Sequence, residues 1–226
     1  MDPGEHESKL YYKKLLPVAV WRRLLTRQQE RIYRRFVELF PPTPEASVLN
    51  VGVNADLKER RQYFLESRYP YLDQVTGCGL ESEREYARLF PEASYLQVFR
   101  DRPLPFEDGQ FDLAFCSAVV EHVGSRENQR RFVADVVRVS RRSFFTTPNR
   151  WYPVDLHTQL PLLHYLPGPV HRRLYRLLGF EFFSHEENLN LLSRSDLAAL
   201  VPPGKRFEIR RHWFLGLPSN LLLAIR

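Results

Sequence analysis

The sequence predicts an α/β fold: a seven-stranded, mostly parallel sheet with helices on both faces, an N-terminal amphipathic helix and a helical insertion after the fifth strand. Three observations point there. Between residues 48 and 146, short apolar runs alternate with stretches of helical periodicity, as parallel strands alternate with crossover helices. The runs, "FDLAFCS" above all, are continuously apolar, the mark of strands buried on both faces. And 226 residues suffice for one such domain with a full core, but are short for two.

The elements follow in order. Trp21, Leu24, Leu25, Ile32, Phe36 and Leu39 recur at helical spacing, with Arg23, Arg27, Arg31 and Arg34 on the opposite side of the wheel. Such a helix either caps a core or lays its basic face on an anionic membrane. Pro41, Pro42 and Pro44 end it. Strands are expected at 48–51, 74–78, 94–98, 111–117 and 143–146, with helices at 57–68, 83–90 and 126–140 between them. The last of these helices carries Phe132, Val133, Val136 and Val137 on one face. From residue 149 the alternation breaks, and "PNRWYPVDLHTQLPLLHYLPGPVHRRLYR" reads as an insertion over the carboxyl edge of the sheet. Ser193 or Ser195 then caps a helix. Strands at 207–214 and 220–225, joined by a turn at 216–219, complete the sheet as an antiparallel hairpin. A single domain results: a helical extension (1–45), a core (46–148), an insertion (149–192) and a terminal segment (193–226).

Composition excludes more than it selects. Hydrophobic residues at 43% and charged residues at 27% are ordinary for a soluble globular chain. No apolar run approaches the roughly 20 residues that span a membrane. The opening "MDPGEHESKL" is acidic and polar, unlike a secretory signal, so a cytoplasmic location is expected. Cys78 and Cys116 lie in apolar runs without partners at metal-ligand spacing and read as buried, reduced thiols. The net charge of +6 gathers at 13–35, in "HRRLYR" and in "KRFEIRRH". None of these is a nucleic-acid module, so no nucleic-acid partner is expected. The oligomeric state stays open. HExxH, GxSxG and GxxxxGK[ST] signatures are absent from the sequence, and no metal centre is expected.

The stretch "ASVLNVGVNAD" (46–56) runs from an apolar strand into a glycine turn, at the sheet end where α/β proteins bind ligands. Gly52 lets the backbone approach a ligand, although one glycine serves a tight turn equally well. His122 follows the fourth strand, while His157 and His164 lie in the insertion. A histidine titrates near neutral pH and suits removal of a proton from a hydroxyl. Each also reads as a structural histidine bonded to backbone, and His164, inside "LLHYLP", as a packed one. Asn149, Trp151 and Tyr152 follow the fifth strand. Their aromatic and amide mixture suits a planar or sugar-like acceptor, and a packed insertion equally.

Taken in order, "VLNVG", "VTGCGLES", "LPFEDGQFDLAFCSAVVEHV" and "FFTTPN" resemble the class I S-adenosylmethionine-dependent methyltransferases, the type 11 branch in particular, over about residues 48–149. The resemblance implies a Rossmann-like sheet, S-adenosylmethionine as cofactor and methyl transfer to a small-molecule acceptor at oxygen. "PNRWYPVDLHTQLPLLHYLP" and "EENLNLLSRSDL" are similar to a subgroup associated with glycan or secondary-metabolite biosynthesis. Carried over by position, the resemblance places the methionine part of the cofactor near Asn50, Gly52 and Asn54. It places the ribose near Leu80 and Glu81, and the sulfur near Ser117. Glu121 and His122 fall at the mouth of the site, with His122 and His157 as candidate bases. The chain also departs from the family. Asn50 stands for an acid, Asn54 and Asp56 for loop glycines, Gly79 for the ribose-binding acid and Arg100 for an adenine-contacting acid. Asp56, Glu81 and Asp101 offer replacement carboxylates. The expectation is an altered but working site. The alternative is a degenerate methyltransferase fold acting as scaffold, regulator or binder of an anionic membrane surface.

Overall fold

The computed structural model describes residues 18–100 and 102–226, with no side-chain description for residues 18–25 and Arg61. Expectations resting on Asp101 and on the side chains of Trp21, Arg23, Leu24 and Leu25 lie outside the described residues. The elements are α1 (Val18–Leu39), β1 (Val48–Val51), β2 (Val75–Gly79), α2 (Arg84–Leu89), β3 (Ser94–Gln97), β4 (Leu113–Ser117), α3 (Arg126–Val139) and β5 (Ser143–Pro148). After the insertion's helix α4 (Gly168–Leu177) come α5 (Arg194–Ala199), β6 (Phe207–Phe214) and β7 (Leu217–Ile225).

One seven-stranded sheet runs in the order β3-β2-β1-β4-β5-β7-β6. Every pairing among β1 to β5 is parallel, and β7 runs antiparallel to both β5 and β6. The chain order reverses between β1 and β4, and the carboxyl ends of these two strands define the crevice where such sheets bind ligands. Helices cover both faces because the parallel strands are apolar on both. On one side Val133, Val136 and Val137 of α3 and Leu197 of α5 bury Leu49, Val51, Cys116, Phe145 and Leu223. On the other, Ile32 and Phe36, four residues apart on α1, and Phe40 just past its end, cover Val48, Phe115, Phe144 and Leu222. Phe36 is fully buried, its ring centroid 4.9 Å from that of Phe115 and 5.3 Å from that of Phe144. The basic residues Arg27, Arg31 and Arg34 face outward. Among the described residues no helix is long and apolar enough to cross a membrane.

Polar contacts seat α1 on the hairpin. The buried Gln28 amide donates to Ser219 Oγ at 3.1 Å and to Asn220 Oδ1. Beside them His212 of β6 is buried with Nε2 unpaired.

Two local expectations are corrected. Residues 57–68 hold only a single 3-10 turn, at Arg60–Gln62. The Tyr63 hydroxyl donates to the Ala55 and Leu57 carbonyls at 3.0 and 3.1 Å, which ties the segment back onto the β1 loop. Tertiary anchoring outweighs the helix propensity of "KERRQ". The hairpin turn is also shorter than the 216–219 expected. Leu215 and Gly216, with φ of 50° and 79°, make the turn, and β7 starts at Leu217. Paired positive φ values match the twist of the flanking strands. Pro218 fits opposite Trp213, where the register shifts. The cap on α5 is Ser193, whose Oγ accepts from Asp196 N in a capping box.

Truncating Phe36 to Ala should destabilise the fold by about 3–5 kcal/mol, read as a lower urea midpoint at unchanged m-value. His212 gives a pH signature. Burial, with the positive field of Arg31 and Arg35, lowers its pKa from 6.5 to about 4. Below pH 6.5 the unfolded chain takes up a proton that the folded one refuses, so stability is full above that pH and declines toward pH 4. The loss is at most roughly 3 kcal/mol. Chemical denaturation between pH 4 and 7.5 should show a shallower decline for His212→Gln than for the parent.

Candidate functional site

The crevice begins where β1 ends. Gly52 is exposed, with a φ of +82°, and a Cβ there would lie 2.3 Å from Val119 Cγ2. Its N–H and that of Val53 both donate to the Cys78 carbonyl, at 2.8 and 2.9 Å. This draws the loop down on the end of β2, so that a Cβ on Gly79 would meet the Val53 carbonyl oxygen at 1.9 Å. No side chain fits at residue 79, and an acid cannot stand there. Asn54 Oδ1 accepts from Asp56 N–H at 3.0 Å, a side-chain turn that does the work of a loop glycine. Asn54, Asp56 and Leu80 are exposed and Glu81 is half-buried, all around the same edge. Asn50 is buried instead, its amide donating to Glu66 Oε1 at 2.7 Å. Tyr86 donates to the same oxygen at 3.0 Å, and Glu66 Oε2 is unpaired. Burial pushes the Glu66 carboxyl above its usual range. Beyond β2, a groove of about 430 Å³ is lined by Ser82, Glu83, Tyr95, Leu96, Gln97 and Phe99.

The end of β4 supplies the other wall. Ser117 Oγ lies 3.0 Å from Thr146 Oγ1. Ala118 is exposed in a left-handed conformation, φ 57°, unusual for a residue with a Cβ. A 3-10 turn, Val120–His122, follows. It carries Glu121 to a fully buried position and not to the mouth of the site as expected. The cause is the insertion, which returns over it: Asn190 N–H donates to the Glu121 carbonyl at 2.8 Å. Glu121 Oε2 accepts from Thr147 Oγ1 at 2.9 Å, and Oε1 is unpaired.

His122 and His157 meet beside that carboxylate, with ring centroids 4.9 Å apart. His122 Nδ1 lies 2.6 Å from the Asn188 carbonyl and His157 Nδ1 lies 3.0 Å from Asp155 Oδ1. Both partners are acceptors, so in each neutral ring Nδ1 carries the proton and Nε2 is left as an acceptor. Burial lowers the pKa of His122, against the pull of the Glu121 charge. Burial also opposes charging of His157, but the bond to Asp155 and its charge win and the pKa rises. Burial alone would raise the Asp155 carboxyl. Its hydrogen bonds and the His157 charge instead hold it well below the usual carboxylate range. Thr158 Oγ1 and Tyr175 OH each donate to Asp155 at 2.8 Å.

A main-chain bridge pairs Asn149 with Leu192, at the two ends of the insertion. Asn149 is buried and donates to the Pro218 carbonyl at 2.8 Å, and Tyr152 is buried near Phe214. Trp151 alone of the three expected acceptor residues is exposed, at 53%, with its ring edge-on to Tyr165. His164 is packed, with Nε2 at 2.8 Å from the Tyr152 carbonyl.

Residues 64–143 match the family profile described as a methyltransferase domain. Over these residues the chain is similar to a methyltransferase domain. Its fold is that of solved S-adenosylmethionine-dependent methyltransferases. One, from Mesorhizobium loti, is 19% identical at a TM-score of 0.55, with 86% of this chain and 96% of that one covered. Magnesium protoporphyrin IX methyltransferase from Synechocystis, with bound SAH, is 11% identical at a TM-score of 0.56, covering 98% and 93%. The N-terminal domain of EvdMO1, in the presence of SAH and D-fucose, is 14% identical at a TM-score of 0.52, covering 88% and 82%. No curated protein matches the sequence.

At the crevice Gly52 and Ala118 are exposed, with the Val119 side chain packed against Gly52, and Asn54, Asp56 and Glu81 stand exposed or half-buried around them. Sequence reasoning named Glu121, His122 and His157 separately and did not see them as one cluster, because residues 35 positions apart meet only through the insertion's path. Buried Glu66 and Asp155 went unnoticed, since nothing in the residues flanking either one in sequence marks a buried acid. Gly79→Ala should destabilise the domain by about 1–3 kcal/mol, measured by urea unfolding, because the Val53 carbonyl has to move.

Proposed function

We propose that this chain transfers the methyl group of S-adenosylmethionine to a hydroxyl of a small polar acceptor seated beneath the 149–192 insertion. The observation that carries the reading is the single 3-10 turn from Ser117 and Ala118 to Glu121 and His122. It joins the crevice floor directly to a cluster of proton acceptors. The cofactor supplies a methyl group already activated on a sulfonium, so alignment and proton removal are what the chain contributes. Glu81 takes the ribose hydroxyls from its place beside Gly79, and Asp56 offers a carboxylate to the ammonium end. Gly52 and Asn54 hold the methionine part, and Ser117 lies near the sulfur. The acceptor oxygen attacks in line and gives up its proton at the Glu121–His122–His157 cluster. Trp151 stacks on the acceptor's apolar face at the rim, a contact suited to a sugar-like molecule. The D-fucose in the EvdMO1 structure supports the same class of acceptor, and with it a role in glycan or secondary-metabolite biosynthesis in the cytoplasm.

One observation favours the scaffold reading. The Gly52 and Val53 amides are both spent on Cys78, which leaves fewer donors for a ligand. Calorimetric titration with S-adenosylmethionine and S-adenosylhomocysteine separates the two. Micromolar binding is expected, and Glu81→Ala should weaken it by about 10- to 100-fold, the loss of charge-assisted hydrogen bonds. No heat at millimolar ligand overturns the methyl-transfer reading in favour of the scaffold.

A further inference from the structure

We propose that Glu121, His122 and His157 bind one divalent first-row transition-metal cation of the zinc or manganese class. One ligand atom from each of the three residues lies within 4.8 Å of the others. A tetrahedral ion with bonds of about 2.0–2.1 Å needs donors roughly 3.3 Å apart, so the set would contract by up to about 1.5 Å around the ion. Two imidazole nitrogens and one carboxylate oxygen favour zinc, manganese, iron or cobalt over magnesium or calcium, which prefer all-oxygen shells.

The atoms behind the donors are held as a metal site needs them held. His157 Nδ1 bonds Asp155, His122 Nδ1 the Asn188 carbonyl, and Glu121 Oε2 accepts from Thr147. A carboxylate or carbonyl behind each histidine fixes its tautomer and leaves Nε2 as the free donor atom. Asp155 is itself anchored by Thr158 and Tyr175, so its role is to orient the ligand.

The cluster also has an unmet need. Glu121 is 0% exposed and its Oε1 has no partner, which is costly for a carboxylate. Beside it lie ligand atoms of His122 and His157, and a buried carboxylate oxygen without a donor calls for a positive charge next to it. A dication balances the charges of Glu121 and Asp155, while Arg100 sets a positive field against it on the His122 side. The side chain of His157 is 11% exposed, so the cluster reaches solvent on that side. A nitrogen that holds the ion cannot also take a proton. In the metal-loaded protein the ion would instead polarise an acceptor hydroxyl, whose proton would pass to water at the exposed edge of His157. The site stands on its donors and does not require methyl transfer.

The full chain, stripped with a chelator and dialysed, is titrated with Zn2+ and Mn2+ by calorimetry and with Co2+ by visible absorption, without S-adenosylmethionine. The expected result is one site with a Kd in the micromolar range or tighter, and cobalt bands of a nitrogen- and oxygen-ligated ion. His157→Gln and Glu121→Gln should each weaken binding at least 10-fold, and Asp155→Asn by 10- to 100-fold. His164→Gln, outside the cluster, should leave it unchanged. If Glu121→Gln fails to fold, by circular dichroism, the partly exposed His157 carries the test. No binding at millimolar metal, or binding indifferent to these variants, overturns the proposal and leaves a proton as the charge within the cluster. Metal binding without S-adenosylmethionine binding would sink the methyl-transfer reading alone.

Discussion

Two main-chain amides, those of Gly52 and Val53, share the single carbonyl of Cys78, and the carboxyl edge of the sheet is organised around that junction. It pulls the β1 loop across the end of β2 so closely that residue 79 has to be glycine. An acid at that place is therefore excluded by packing. Carboxylates appear one step outward, at Asp56 and Glu81, where the chain is exposed or half-exposed. The same junction turns Asn50 inward onto Glu66, so the polar side chain of β1 serves the core of this edge. Buried Glu66, held toward its neutral form by desolvation and bonded by Asn50 and Tyr86, is the cost of that arrangement.

The insertion is organised by the opposite device, a fully charged and well-bonded acid. Asp155 gathers a threonine, a tyrosine, its own downstream amide and His157, and so gives an aromatic, proline-rich segment a defined shape. A small apolar cluster of Tyr175, Phe180, Phe183, Leu189 and Leu191 closes around it. The segment returns to the sheet through Asn188 and Asn190, whose main-chain groups bond His122 and Glu121. The loop after β4 is thus held from above by the insertion and from below by Thr147 of β5. That double hold fixes the position of the histidine–carboxylate cluster.

Much of the fold was legible because it depends on local apolar periodicity. Val48 to Val51, "FDLAFCS" and the terminal hairpin are strands by their own composition, and Phe132 to Val137 mark a helix by spacing. The segment 57–68 was not legible: its residues favour a helix locally, and the Tyr63 hydroxyl, bonded six to eight residues back, decides otherwise. The hairpin turn was misjudged for a related reason, since Pro218 looks like a loop residue until a register shift opposite Trp213 makes room for it. At the site, His164 was legible as a packed side chain from its apolar neighbours. Glu121 was not, because its burial comes from a chain segment 69 residues later at Asn190.

The sequence by itself determined the fold class, the order of strands and helices, the glycine turn at the end of β1 and the place of the insertion. These follow from short-range patterns of apolar, glycine and proline residues, which act through a few neighbouring dihedrals. Only the tertiary structure decided that Gly79 must lack a side chain, that Asn149 and Tyr152 are packed while Trp151 is exposed against Tyr165, and that Glu121, His122 and His157 come together. Those outcomes depend on which distant atoms compete for the same space and the same hydrogen bonds. That competition exists only once the sheet has closed and the insertion has folded back over it.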